Sequence, residues 1–179
     1  MYRCDHLRPG SPGPERRKTV ATNFSVSALP VRDLERIRAR GLDDFNNAVV
    51  VSTNQDKDGT PLRCCLREAA VGERVALIAF QPAAVGGAYA EVGPVFIHAD
   101  SCSGFDDNDA YPVGFRQRRQ LFRAYDVEGH QVDNQIVEGQ HAETAIAKLF
   151  ARPDVAYLHS RNPLAGCYMF AIARNDAAT

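Results

Sequence analysis

The succession of short strand-like runs constrains the fold of this chain more than any other feature. Apolar, β-branched and aromatic residues recur in extended runs that follow one another with few helices between them. Such strands pair mostly in antiparallel fashion, because a parallel pair needs a long crossover connection. The sequence therefore predicts an α+β fold, with one mainly antiparallel sheet of about seven strands and two helices on one face.

Two segments have the periodicity of amphipathic helices. The first helix is predicted at residues 31–40, where Pro30 precedes it and Gly41 is placed to end it in the left-handed conformation. The second is predicted at residues 140–151, and Pro153 forbids its continuation. Both segments repeat apolar residues at spacings of three and four, so each is expected to turn one face toward a core.

Length and composition indicate one globular domain after a leader. The chain has 179 residues, of which 45% are hydrophobic and 24% are charged, so it can build a sizeable core. Residues 1–20 contain a Pro-Gly-Ser-Pro-Gly-Pro run that suits neither a helix nor a strand, and they are predicted to be a flexible leader. Residues 21–179 are predicted to form a single α+β domain.

The net charge and the short apolar runs argue against nucleic acid and membranes as partners, and the cysteines indicate a compartment. A formal net charge of -1 gives no global positive field to collect nucleic acid or an anionic membrane. No apolar run approaches the roughly 20 residues that span a bilayer. Five irregularly spaced cysteines without an export signal indicate reduced thiols, so a cytoplasmic location is expected. No glycine-rich nucleotide fingerprint is present, and no cofactor is predicted.

Two segments in the first half of the chain carry possible metal ligands but are not predicted to bind a metal. Residues 54–59 match the start of a calcium-binding EF-hand loop, but Cys65 occupies the position that needs a bidentate Glu, so we interpret the segment as a turn. Residues 61–67 are predicted to be one short extended piece. Because alternate residues of a strand point to opposite faces, Cys64 and Cys65 are expected to be a poor chelating pair.

The stretch 92–102 holds the first candidate site. Residues 95–99 form an apolar run between a Gly-Pro pair and a polar turn, which is typical of a buried strand. His98 is predicted to close this strand, and Cys102 follows four residues later. An imidazole and a thiol at the end of a buried strand could form a reactive pair or supply two ligands of a metal site.

The last predicted hairpin, residues 155–160 and 167–173, holds a second set of polar side chains. His159 lies before its loop and Cys167 after it, so antiparallel pairing would bring the two close together. We expect the ends of this hairpin and of the 95–99 strand to converge on one cleft.

One hypothesis is a thiol-dependent enzyme that acts on a small anionic substrate. Cys102 would be the nucleophile, and a histidine would lower its pKa and move its proton. The predicted catalytic residues are Cys102, His98 and His159. The predicted substrate-binding residues are Arg161 and Asn162, since the guanidinium fork suits an anionic group, and Cys167 is the other candidate thiol.

A second hypothesis is a transition-metal site, because imidazole and thiolate ligands suit zinc. Its ligands would be His98, Cys102, His159 and Cys167, without the short Cys-x-x-Cys repeats that are typical of structural zinc sites.

A third hypothesis is a non-catalytic module that binds a small ligand or a protein partner. The histidines would then form hydrogen bonds inside the fold, and the cysteines would fill space. Asn-Pro is a turn signal, so Arg161 and Asn162 would fix the hairpin loop.

Four segments together resemble the bacterial family known as domain of unknown function 1203. They are residues 61–67 (PLRCCLR), 89–98 (YAEVGPVFIH), 123–126 (RAYD) and 156–162 (AYLHSRN), the last followed by Gly166-Cys167. The likeness rests on their order and spacing and covers residues 24–174. The resemblance implies a soluble bacterial protein and implies no activity.

Overall fold

Ten strands form two five-stranded sheets in the computed structural model of the protein, which describes residues 23–82 and 87–175. The strands are β1 Phe24–Ser27, β2 Val50–Thr53, β3 Pro61–Leu62, β4 Arg67–Glu68, β5 Arg74–Phe80, β6 Gly93–His98, β7 Arg119–Tyr125, β8 Gln131–Glu138, β9 Tyr157–Arg161 and β10 Tyr168–Arg174. The helices are α1 Val31–Arg40 and α2 Ala142–Phe150. Neither of these described helices is long and apolar enough to cross a membrane.

The first sheet has the strand order β1-β10-β9-β7-β8, and all its neighbours are antiparallel. The predicted last hairpin lies within it, since β9 and β10 pair with each other. Helix α2 follows β8 and buries Ile146 and Leu149 in a core that also contains Phe122 and Phe170 of the sheet. Burial of this apolar surface is the main force that holds the helix on the sheet.

The second sheet has the order β2-β5-β6-β3-β4. Its pairs are antiparallel except for β3 and β6, which run parallel with Leu62 opposite Phe96. Leu34 and Ile37, one turn apart on α1, are buried in the core of this sheet. The central strand β6 is the apolar run expected from the sequence, and it ends at His98.

The architecture corrects one part of the predicted fold. The two helices and the mainly antiparallel strands agree with the predicted α+β class, but the single sheet of about seven strands is wrong, because the strands divide into two sheets. Residues 61–67 are not one extended piece but two short strands around a turn. Side-chain alternation marks a strand without naming its neighbours, so it leaves sheet membership open.

Both helix predictions are confirmed, with a small change in the second. Helix α1 has the predicted bounds, and Gly41 ends it with a φ of 67° while its N–H donates to the Ile37 carbonyl. Helix α2 starts later than predicted, because Gly139–His141 form a 3-10 turn ahead of it. The predicted leader, residues 1–20, lies outside the described residues.

Candidate metal centre

The turn between β3 and β4 brings two cysteines to one side. Residues 63–66 form this turn, Leu66 adopts a positive φ of 55°, and its N–H donates to the Leu62 carbonyl at 3.0 Å. The Sγ atoms of Cys64 and Cys65 lie 4.0 Å apart. The expectation that these thiols point to opposite faces is therefore wrong, because strand alternation does not apply to residues of a tight turn.

His98, at the end of β6, faces both thiols of this turn. Its Nδ1 lies 3.2 Å from the Sγ of Cys64 and 3.7 Å from the Sγ of Cys65. The pairing of β3 with β6 sets this approach, since Leu62 lies opposite Phe96 and the Arg63 N–H donates to the Phe96 carbonyl. The His98 backbone N–H also points at the Cys64 Sγ, at 3.3 Å.

Cys102 completes a cluster of four side chains. The three Sγ atoms and one imidazole nitrogen of Cys64, Cys65, His98 and Cys102 all lie within 4.8 Å of one another. Cys64 is fully buried, while Cys65, His98 and Cys102 are half-buried near the end of the central strand β6. We call these four residues the Cys/His cluster.

The carboxylate of Glu73 contacts the His98 ring nitrogen that points away from the thiols. The His98 Nε2 lies 2.7 Å from Oε1 of Glu73, and Arg67 donates to both oxygens of that carboxylate at 2.6 and 2.9 Å. The Ala70 N–H adds a hydrogen bond at 2.8 Å. These donors, Arg67 foremost, lower the pKa of Glu73 to about 2, so it stays ionised. The Nε2 of His98 thus lies against both the ionised carboxylate and the Arg67 Nη2, which is 2.9 Å away, while Nδ1 faces the thiols.

The surroundings of the three thiols shift their pKa values in different directions. A hydrogen bond from Cys65 and the backbone N–H of His98 lower the pKa of Cys64 well below that of an ordinary thiol, despite its burial. The same contact with Cys64 raises the pKa of Cys65. Burial raises the pKa of Cys102, to which the nearby Cys64 adds. The surroundings therefore favour the thiolate of Cys64, which the His98 backbone N–H approaches at 3.3 Å.

The separations among Cys64, Cys65 and His98 are close to those of a tetrahedral zinc site. With zinc–sulfur bonds of about 2.3 Å and zinc–nitrogen bonds of about 2.0–2.1 Å, ligand atoms stand about 3.6–3.8 Å apart. The three separations among Cys64, Cys65 and His98 are 4.0, 3.7 and 3.2 Å. The carboxylate behind His98 is the outer partner that metal-binding imidazoles usually have.

The remaining residues of the sequence-based site lie in the first sheet. His159 is buried among the rings of Tyr125, Tyr157 and Tyr168, with ring centroids 5.0 to 5.3 Å away. Burial lowers the pKa of His159 to about 4, so its imidazole is neutral near pH 7. Cys167 accepts a hydrogen bond at 3.1 Å from the buried Arg63.

The structure thus groups His98 and Cys102, as expected, but without His159 and Cys167. In the part of the chain that the structure describes, Cys64 and Cys65 take the places that the zinc hypothesis gave to those two residues. The physical reason is sheet membership, because β9 and β10 belong to the first sheet and β6 to the second.

Arg161 and Asn162 lie at the loop of the last hairpin. Asn162 Oδ1 accepts hydrogen bonds from the backbone N–H groups of Leu164 and Ala165 at 2.9 and 3.0 Å, so it shapes the turn. Arg161 donates to the Gly166 carbonyl at 3.0 Å and forms an ion pair with Glu91. Their role in substrate binding stays a prediction.

Sequence reasoning missed four residues of this centre: Cys64, Cys65, Arg67 and Glu73. Cys64 and Cys65 are adjacent in the sequence, but a continuous strand over residues 61–67 would point them to opposite faces. Glu73 had no local signal, because it meets His98 only through the pairing of β5 with β6.

Comparison with known proteins gives one family. A family model described as "Protein of unknown function (DUF1203)" matches residues 59–174, which include the whole Cys/His cluster. No curated protein and no solved structure matches the chain.

Proposed function

The chain belongs to this DUF1203 family of unknown function, and we propose that it is a metal-binding protein whose Cys/His cluster holds one zinc-class ion. Cys64, Cys65 and Cys102 supply thiolates, and His98 supplies Nδ1. The observation that supports the proposal is the gathering of four such ligand atoms within 4.8 Å of one another, with Glu73 behind the imidazole.

The donor set selects the class of metal. Three sulfurs and one imidazole are soft or borderline ligands, which suit zinc and disfavour calcium or magnesium. Four protein ligands close a tetrahedral shell and leave no open position for a substrate, as in structural zinc sites. The ion would tie the β3–β4 turn to the end of β6 and would therefore stabilise the second sheet.

The thiol-dependent enzyme is a weaker candidate for the same residues. Cys64, His98 and Glu73 follow one another as thiol, imidazole and carboxylate, with separations of 3.2 and 2.7 Å. The thiol of this series, however, is fully buried, and a nucleophile needs access to its substrate. The catalytic roles of Cys102, His98 and His159 stay predictions.

Metal analysis of untagged protein tests the proposal. Wild-type protein is expected to purify with about one zinc ion per chain, and Cys65→Ser, Cys102→Ser and His98→Gln each to lose most of it. Cys167→Ser is the matched control, because its thiol lies outside the cluster and should leave the zinc content unchanged.

Cobalt substitution gives a second readout. Co²⁺ bound to three thiolates in a tetrahedral shell should show intense visible bands and thiolate charge transfer that Cys102→Ser weakens. Wild-type protein with far less than one zinc ion and with a weak, octahedral-type cobalt spectrum would contradict the metal centre. Rapid alkylation of Cys102 alone by iodoacetamide in that metal-free protein would favour the enzyme instead.

A further inference from the structure

A second cluster of charged side chains lies away from the metal ligands, in a cleft of about 310 Å³. Phe80 at the end of β5 lines one part of it. Arg123, Arg161 and Tyr168 of the first sheet line another, together with Cys167 in the loop between β9 and β10. Its size is at the lower end of the range for small-molecule sites.

The pairing of strands places both arginines of the cleft on one face. In the register of β7 with β9, Arg123 lies opposite His159 and Leu121 lies opposite Arg161. Because residues two apart on a strand share a face, Arg123 and Arg161 stand on the same side as His159. The opposite face, which includes Phe122 and Leu158, belongs to the core under α2.

The cleft holds more positive charge than the protein itself neutralises. Arg161 is 3% exposed, yet its Nε has no hydrogen-bond partner among the described residues. Arg123 and Arg161 share the single carboxylate of Glu91. Burying a guanidinium without full pairing is costly, so the arrangement favours an anion at these two arginines.

Glu91 is a lining residue of the cleft and supplies a carboxylate to both arginines. Its Oε1 accepts a hydrogen bond from Arg123 at 2.6 Å, and its Oε2 pairs with Arg161. The Glu91 side chain is 43% exposed, whereas that of Arg161 is 4% exposed. The two arginines thus hold one carboxylate by both oxygens, at a position that solvent reaches.

The walls beside this position are apolar. Phe80 and Tyr168 place their rings 5.4 Å apart, and Pro82 and Pro94 also line the cleft. An anion that replaces Glu91 would therefore bring an apolar body against these rings.

We propose that the cleft binds a small organic carboxylate with an apolar body, in which Arg123 and Arg161 receive the carboxylate and Glu91 holds their place until the ligand displaces it. The site shares no residue with the Cys/His cluster, so the proposal stands independently of the metal centre. A carboxylate is the group that the two arginines already hold by both oxygens in this structure, in the form of Glu91.

Calorimetric titration of the full-length protein with phenylacetate tests this site. Wild-type protein is expected to bind phenylacetate weakly, and Glu91→Gln about tenfold more tightly, because the internal competitor is removed. Arg123→Gln should abolish the binding. Arg119→Gln is the matched control on the same strand, because Arg119 pairs with the exposed Glu138 and should leave the affinity unchanged.

Two other probes define the ligand class. Phenethyl alcohol has the same apolar body without the charge and should not bind. Inorganic phosphate lacks the apolar body, so it should bind Glu91→Gln more weakly than phenylacetate does. Equal affinity of Glu91→Gln and wild type for phenylacetate would overturn the proposal. So would phosphate that binds Glu91→Gln as tightly as phenylacetate does.

If Glu91→Gln fails to fold, protection of the Cys167 thiol in wild-type protein tests the site instead. Cys167 lines the cleft, so mass spectrometry after iodoacetamide treatment follows its alkylation in wild-type protein. Phenylacetate is expected to slow alkylation of Cys167 several-fold, whereas phenethyl alcohol at the same concentration should leave the rate unchanged. Unprotected Cys167 at saturating phenylacetate would refute the site.

Discussion

The buried guanidinium of Arg63 reaches from the second sheet to the thiol of Cys167 in the last hairpin, with 3.1 Å between Nη2 and Sγ. Its Nε donates to the Tyr168 carbonyl at 2.8 Å, and Nη1 donates to the Pro61 carbonyl. Arg63 is 1% exposed, so these acceptors replace the water that the charge has lost. The residue after β3 thus joins the two sheets by hydrogen bonds.

Replacement of Arg63 should therefore destabilise the fold. We expect Arg63→Met to lower the free energy of unfolding by about 3 kcal/mol, because it leaves buried carbonyl groups without donors. Arg63→Lys should restore only part of this loss, since one ammonium cannot reproduce the planar fork. Urea denaturation measures both. Arg119→Met, which removes an exposed ion pair with Glu138, is the control and should change stability by less than about 1 kcal/mol.

The close packing around Gly139 gives a second prediction. A Cβ at this position would lie 2.3 Å from the Phe115 carbonyl oxygen and 2.7 Å from that of Arg118, both backbone atoms. Gly139→Ala should therefore cost about 2 kcal/mol or more in urea denaturation, because the 3-10 turn before α2 has to move. Gly93→Ala has open space around the new methyl group and should stay within about 0.5 kcal/mol of the wild type. Equal losses in the two variants would contradict the packing described for Gly139.

The neutral imidazole of His159 predicts acid sensitivity. Burial lowers its pKa to about 4 in the folded state, against about 6.5 in the unfolded chain, so the unfolded state binds the proton more readily. Stability should fall as the pH drops from about 6.5 toward 4, by about 3 kcal/mol in all from this group.

Urea denaturation at pH 7 and pH 5 checks this dependence. His159→Gln should lose clearly less stability than the wild type between the two values, because it has no proton to bind. His130→Gln is the control, since His130 is exposed, and should follow the wild type. The same pH slope in His159→Gln and wild type would show that other groups cause the acid sensitivity.

The outer contact of the proposed metal centre is testable without removing a ligand. Glu73→Gln keeps the shape of the side chain but removes the charge that holds His98, and it should weaken zinc binding about 10- to 100-fold. Competition with a chromophoric chelator measures the affinity. Glu143→Gln removes a carboxylate that pairs with Arg116 away from the cluster, and it should bind zinc as tightly as the wild type. An unchanged zinc affinity in Glu73→Gln would show that Glu73 does not support metal binding.

Part of the candidate site could be predicted from the sequence. His98 closes a short apolar run, and Cys102 follows in a polar turn only four residues later, so local pattern suffices to place an imidazole and a thiol at one sheet edge. The rest of the centre has no such local basis. Cys64 and Cys65 meet His98 because β3 lies beside β6, and a pairing between segments more than 30 residues apart leaves no mark in either segment.

The amino-acid sequence by itself determined the elements of this protein: helix α1 between Pro30 and Gly41, the central strand that ends at His98, and the hairpin of β9 and β10. These depend on apolar periodicity, backbone conformation and short loops, which act over a few residues. Only the tertiary structure decided that the strands form two sheets, that a tight turn gathers two adjacent thiols around His98, and that His159 lies apart from them. Those outcomes depend on which strands pair and in what register, and that choice is made by packing across the whole chain.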